Sequence, residues 1–128
     1  MMKTPDFIHR DDGTSAVEFA LVLGPFITLV MGGLGLGFVL WANTTLHFAA
    51  EDAARCGVVK TTVCTNNPAD IVTYANSHYN GPNISPVFTA TNSGCGAGSW
   101  TVTATATYPL NTGLVNLSVP LTATACFP

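Results

Sequence analysis

The sequence predicts an α+β fold: a long N-terminal helix, part transmembrane and part extending beyond the membrane, followed by a small C-terminal antiparallel β-sheet head with one short helix. Three observations predict it. Residues 19–50 contain no Asp, Glu, Lys or Arg and are apolar. Residues 71–128 contain none either, yet are rich in Thr, Asn, Ser and Gly. All four cysteines, Cys56, Cys64, Cys95 and Cys126, follow the apolar run. A chain of 128 residues holds one small domain plus an accessory segment. With 9% charged residues and a mean hydropathy of +0.39, it is neither a disordered polyelectrolyte nor an ordinary charged-surface domain. A net charge of −3, with only four Lys plus Arg, argues against nucleic-acid binding through phosphates.

The first element is the apolar stretch 19–42, whose only polar side chain is Thr28. At the helical rise it extends roughly 36 Å, against a hydrocarbon core of about 30 Å. It is long enough to span, and the rest of the chain is too small to enclose it. Trp41 stands at the far edge, where an indole favours the lipid–water interface. Pro25 and the glycines would weaken this helix in water but are tolerated in lipid, which offers the backbone no competing partners. Gly33 and Gly37 form a GxxxG pair, which suits close helix packing or marks no more than a soft helix. Lys and Arg counts on the two sides tie: Lys3 and Arg10 precede the span, Arg55 and Lys60 follow it. The nearness of Arg10, and cysteines that pair only in an oxidising compartment, favour the N-terminus inside and the C-terminal domain outside.

The residues before the span do not form a secretory signal, because the apolar run is too long and is preceded by Asp11, Asp12 and Glu18. Glu18 opens the apolar run, where an unpaired carboxylate is costly and demands a partner. A polar leader, then Gly13, four residues and Glu18 at the head of a long apolar helix resembles the type IV prepilin processing site. The stretch GTSAVEFALVL at 13–23, followed by AAEDAARCG at 49–57, is similar to the TadE-like family, small pseudopilin-like proteins of the tight-adherence (Tad, or Flp) pilus apparatus. Family members often have Arg directly before that Gly; here Arg10 is followed by Asp11-Asp12-Gly13. The resemblance implies a cytoplasmic leader over 1–13 and cleavage by a prepilin peptidase between Gly13 and Thr14. It also implies subunit alignment by Glu18, through neutralisation of the new Thr14 ammonium on a neighbouring subunit. Such pairing removes the cost of holding either charge near lipid.

Beyond the span the helical pattern continues. Leu46, Ala49, Ala50, Ala53, Ala54 and Gly57 recur at three- and four-residue intervals, and Glu51 and Arg55 have the i, i+4 order of an exposed face. One continuous helix is expected over about 15–55, within a transmembrane and extramembrane region 14–60.

The head, 61–128, begins with Asn67-Pro68-Ala69-Asp70: a cap residue, proline at the first helical position and an acid in the first turn. A short helix over 68–78 follows from it. Strands are expected over 86–91, over the strictly alternating 100–108 and over 115–126, with 109–113 as a hairpin connection. Pro120 demotes the last strand to an edge, a bulge or two pieces. The apolar sheet face should be covered by the short helix or the top of the long one. So small a core needs disulfides. Of three connectivities, the favoured one is Cys56–Cys64 and Cys95–Cys126; reduced structural cysteines are the alternative.

Catalytic chemistry is not expected. The cysteine spacings lack CxxC pairs, His9, His47 and His78 fall in three separate segments, and Asp70 is the only side-chain carboxylate after Asp52. Gly94-Cys95-Gly96-Ala97-Gly98 lacks the Lys-Ser/Thr ending of a phosphate loop and reads as a turn holding a disulfide. The resemblance therefore implies a minor pilin or pseudopilin without a cofactor, residing in the bacterial inner membrane with its head in the periplasm. Its partners would be prepilin peptidase, other pilus subunits or pseudopilins, and inner-membrane assembly machinery. Two other readings stay open. One is an uncleaved single-span protein with a partner- or ligand-binding outer domain, and the other a secreted domain released near Ala49 or Ala50.

Overall fold

The computed structural model describes residues 12–111 and 115–128. Helix α1 runs Asp12–Val59, α2 Thr61–Cys64 and α3 Pro68–His78; strands β1 Val87–Thr91, β2 Trp100–Asn111 and β3 Asn116–Phe127 form one antiparallel sheet of order β1-β2-β3. The α+β architecture of long helix and small sheet is the one the sequence predicts.

Two details differ from the sequence reading. A second short helix, α2, appears because Lys60 O accepts from both Val63 N and Cys64 N at 3.0 Å, which folds the chain back and carries Cys64 to Cys56. Left-handed Thr65 and Asn66 then end that turn. Strand β2 continues through Pro109 to Asn111 where a connection was expected. Proline's missing N–H is harmless there, because β1 pairs only with residues 101–105 and leaves that edge of β2 open. The remaining connection residues Thr112 and Gly113 lie outside the described residues. Pro120 sits opposite Thr107 in β3, which is an edge strand of unbroken register.

The chain divides into two compact units between Leu34 and Gly35. In the first, every residue of α1 from Gly13 to Leu34 is exposed, including Phe19, Leu21, Phe26, Leu29 and Met31. Thr28 Oγ1 donates to Pro25 O at 2.8 Å, so the one polar side chain of this stretch is satisfied within its own helix. Bare apolar surface on this scale is foreign to water-soluble monomers and calls for lipid or neighbouring helices.

The second unit is the head together with the rest of α1. Half-buried Gly35 and Val39, then buried Ala42, Leu46, Ala49, Ala50, Ala53, Ala54 and Gly57, form one stripe at three- and four-residue spacing. Its two ends fix the position of β2. A Cβ on Gly57 would meet Trp100 Cδ1 at 2.7 Å, and a Cβ on Gly35 would meet Leu110 Cδ2 at 2.9 Å. The helical distance from 35 to 57 is about 33 Å, and the strand distance from 100 to 110 is about 33 Å as well. Strand β2 therefore runs alongside α1, antiparallel to it, for the length of the stripe. Ala42, at the end of the stretch read as spanning, is fully buried in this unit.

The core joins that stripe to Ile71 and Ala75 of α3, Phe88 of β1, Trp100, Val102 and Ala104 of β2, and Leu121, Ala123 and Ala125 of β3. Asn67 caps α3 by accepting from Ala69 N at 3.1 Å, with Pro68 in the first turn as the sequence foretold. The loop before β2 needs Gly94: its φ is +130°, and a side chain there would collide with Thr101 Oγ1. Buried Ser99 donates to Gly96 O at 2.7 Å and accepts from Cys95 N at 3.3 Å.

Candidate functional site

Gly13, Thr14 and Glu18 lie in the first turns of α1, all exposed, and nothing lies within 4 Å of where a Cβ on Gly13 would stand. Lys3, His9, Arg10 and Asp11 lie outside the described residues. Gly33 and Gly37, one turn apart, likewise have nothing within 4 Å of their Cβ positions. Gly35 between them is the one covered by Leu110. The helix contains a stretch long and apolar enough to cross a membrane. Phe38 and Trp41 touch on its surface, with ring centroids 6.2 Å apart, and each is about half exposed.

In the head the cysteines stand in the favoured pairing. Cys56 and Cys64 have Cα atoms 5.9 Å apart and are fully buried; Cys95 and Cys126 are 6.2 Å apart and exposed. The first bond ties the end of α1 to α2, and the second ties the glycine-rich loop to the end of β3.

One polar chain was not legible beforehand. Lys60 Nζ donates to Tyr74 Oη at 2.7 Å, and Tyr74 Oη donates to Asp52 Oδ2 at 3.0 Å. His78 stacks on the Tyr74 ring with centroids 3.9 Å apart. The hydrogen bond with Tyr74 is the main influence raising the Lys60 pKa above its ordinary value. Asp52 and Tyr74 are 22 residues apart, and only the docking of α3 on α1 brings them together. Beside this chain a groove opens between α1 and β3, bordered by Phe48, Glu51, Arg55, His78 and Phe127. All charged side chains of this unit, from Glu51 to Asp70, belong to the end of α1, to α3 and to the turn between them. Among the described residues no group of three His, Cys, Asp or Glu side chains is placed to hold a metal ion. The arrangement offers contact surfaces: an apolar helix bare on all sides, and a head with a charged end and an uncharged sheet.

Residues 13–55, about a third of the chain, match the family described as TadE-like protein, the family that the AVEFAL opening resembles. The matched segment begins at Gly13 and ends at Arg55. No curated protein and no solved structure matches the chain.

Proposed function

We propose, from this TadE-like segment, that the protein is a minor pilin- or pseudopilin-like subunit taking part in assembly of a Tad (Flp) type IV pilus. The observation that carries the reading is that the family match starts at Gly13, in the first turn of a helix whose apolar side chains are bare from Val17 to Leu34. In this reading a prepilin peptidase removes residues 1–13. The α1 helix then holds the protein in the inner membrane, with its head on the oxidising, periplasmic side where its cysteines pair. The new ammonium of Thr14 and the carboxylate of Glu18 neutralise each other between neighbouring subunits, which lets both approach lipid. Gly33 and Gly37, open on their side of the helix, permit a neighbouring helix to approach closely. The work is structural: pilus subunits or membrane machinery contact the helix and the head.

The test is the intact mass and N-terminal sequence of the membrane-fraction protein, made with and without its prepilin peptidase. A start at Thr14 that depends on the peptidase is expected. A start at Met1 under both conditions refutes processing and leaves an uncleaved single-span module. Where processing holds, Glu18→Ala should impair assembly while leaving the head folded.

A further inference from the structure

Between residues 35 and 57 the head covers one side of α1, along the buried stripe of Ala42, Leu46, Ala49, Ala50, Ala53 and Ala54. At about 100° per residue, the opposite side belongs to Gly37, Trp41, Thr44, Phe48, Glu51 and Arg55, each within about 40° of the direction facing away from that stripe. All six are exposed. Their spacing alternates between 4 and 3 residues, the pattern that keeps one row of side chains turned toward a neighbouring helix.

Phe48, 68% exposed, stands six residues past the end of the apolar stretch 19–42, between polar Thr44 and Glu51 on this face. Trp41, one turn or two away on the same face, is 47% exposed. Exposed aromatic rings aligned on one helix face are the usual anchors of a protein interface. At Gly37 nothing lies within 4 Å of a Cβ, so the backbone itself is open to a close neighbour. The outer end carries one acid and one base, Glu51 and Arg55. The nearby charges Asp52 and Lys60 are both bonded to the Tyr74 hydroxyl and so belong to the head's own packing.

These charges select the occupant. A copy related by a two-fold axis along α1 presents the same face in the same direction, so Trp41 meets Trp41 and Phe48 meets Phe48. Helical side chains lean toward the N-terminus, which brings each Arg55 guanidinium back to the level of Glu51 on the opposing helix. Each copy supplies one acid and one base, and the two pairs are reciprocal. The face is therefore complementary in charge to itself. We infer that it is a homodimer seam: a second copy of the chain packs in parallel along residues 37–55, with reciprocal Glu51–Arg55 pairs closing the outer end. The aromatic contacts supply most of the strength, and the exposed charges fix register and orientation. The seam names a neighbour for the proposed subunit and rests on the reading of α1 as membrane-spanning, because insertion in one membrane makes two copies parallel.

The test uses the full-length protein, disulfides intact, in density-matched detergent micelles, with the dimer constant read by sedimentation equilibrium. Glu51→Arg places only bases at the outer end of the seam, and Arg55→Glu only acids. Each variant alone should dissociate about tenfold more readily than wild type. Mixed in equal amounts, the two should pair with each other at least as tightly as wild type, because every like pair becomes an opposite one. Both positions are exposed, and an unchanged near-UV circular dichroism spectrum verifies a folded head in each variant. Phe48→Ala should weaken the dimer as well. A dimer indifferent to both charge reversals is held together elsewhere and overturns the inference. Weakened variants that mixing does not rescue reveal an effect within each chain and also overturn it. If carbonate leaves the wild type in the membrane pellet but it sediments as a monomer, the face serves a different chain and the seam falls alone. If carbonate releases the wild type from membranes, the spanning helix fails and the parallel seam falls with it.

Discussion

Gly57→Ala tests whether α1 and the sheet are held at a fixed separation. The new Cβ would lie 2.7 Å from Trp100 Cδ1 and 2.8 Å from both Trp100 Cγ and Ile71 Cδ1. Neither neighbour can readily give way. Ile71 is fully buried, Trp100 is 3% exposed, and the indole is tethered by Nε1 donating to Asn66 Oδ1 at 2.8 Å. Overpacking a filled core costs about 1–3 kcal/mol. Alanine recovers at most about 1 kcal/mol over glycine in a helix interior, and less here, because α1 ends two residues later at Val59. The packing cost wins, leaving a net loss of about 1 kcal/mol. For a unit the size of Gly35–Pro128 that corresponds to a fall of about 4–8 °C in Tm. The assay is thermal unfolding of the full chain in detergent micelles, followed by near-UV circular dichroism, to which buried Trp100 contributes. Gly37→Ala is the control: nothing stands within 4 Å of its Cβ, so it gains helix propensity without a clash and should not lower Tm. A Gly57→Ala protein melting at or above wild type would refute the close-approach argument.

Three further outcomes follow from the same packing. Leu46→Ala, at a fully buried position, should destabilise the head by about 2–5 kcal/mol in denaturant unfolding, whereas Leu29→Ala, bare in the first unit, should leave the head's transition unchanged. Stepwise reduction with a dithiol, followed by alkylation and mass mapping, should free Cys95 and Cys126 before Cys56 and Cys64, because only the former pair is exposed; the reverse order would contradict the burial. Burial raises the Tyr79 pKa above the ordinary value near 10, and its hydroxyl donates to Pro82 O at 2.8 Å. The unfolded chain therefore ionises first. This contribution is whole below about pH 10 and is lost as pH climbs toward the folded value. Tyr79→Phe should make the alkaline decline in Tm shallower.

How much of this was legible in the sequence depends on the range of the interaction. Helix α3 was readable at its start because Asn67, Pro68 and Asp70 act within one turn of chain. The strict alternation from Trp100 to Tyr108 announced β2, but not its continuation through Pro109, which depends on how far a separate strand, β1, reaches along it. The link from Lys60 through Tyr74 to Asp52 joins elements whose docking no local pattern encodes. Composition also could not show where the head begins on α1. Residues facing lipid and residues facing a sheet are both apolar, so 19–42 reads as one stretch although Gly35, Val39 and Ala42 pack with the head. The likeness to the TadE-like family was the opposite case, carried by contiguous residues from Gly13 onward.

The size of the residues along the α1 stripe bears on the proposed orientation. Apart from Val39 and Leu46, the buried stripe consists of Gly35, Ala42, Ala49, Ala50, Ala53, Ala54 and Gly57. Such residues let the helix approach Trp100 and Leu110 closely, but each removes little apolar area from water, and hydrophobic stabilisation scales with that area. The sheet adds to the shortage, since Ala104, Ala123 and Ala125 occupy three of its seven core positions, beside Phe88, Trp100, Val102 and Leu121. In the chain-entropy model the disulfides, spanning 8 and 31 residues, contribute about 2.5 and 3.7 kcal/mol. Together, about 6 kcal/mol is comparable with the entire net stability of an ordinary domain, about 5–15 kcal/mol. A head that gives up core volume for close helix contact depends on its oxidised cysteines, and in a reducing compartment it would be marginal. That dependence supports placing residues after the span on the periplasmic side, independently of the charge count around the helix, which is balanced.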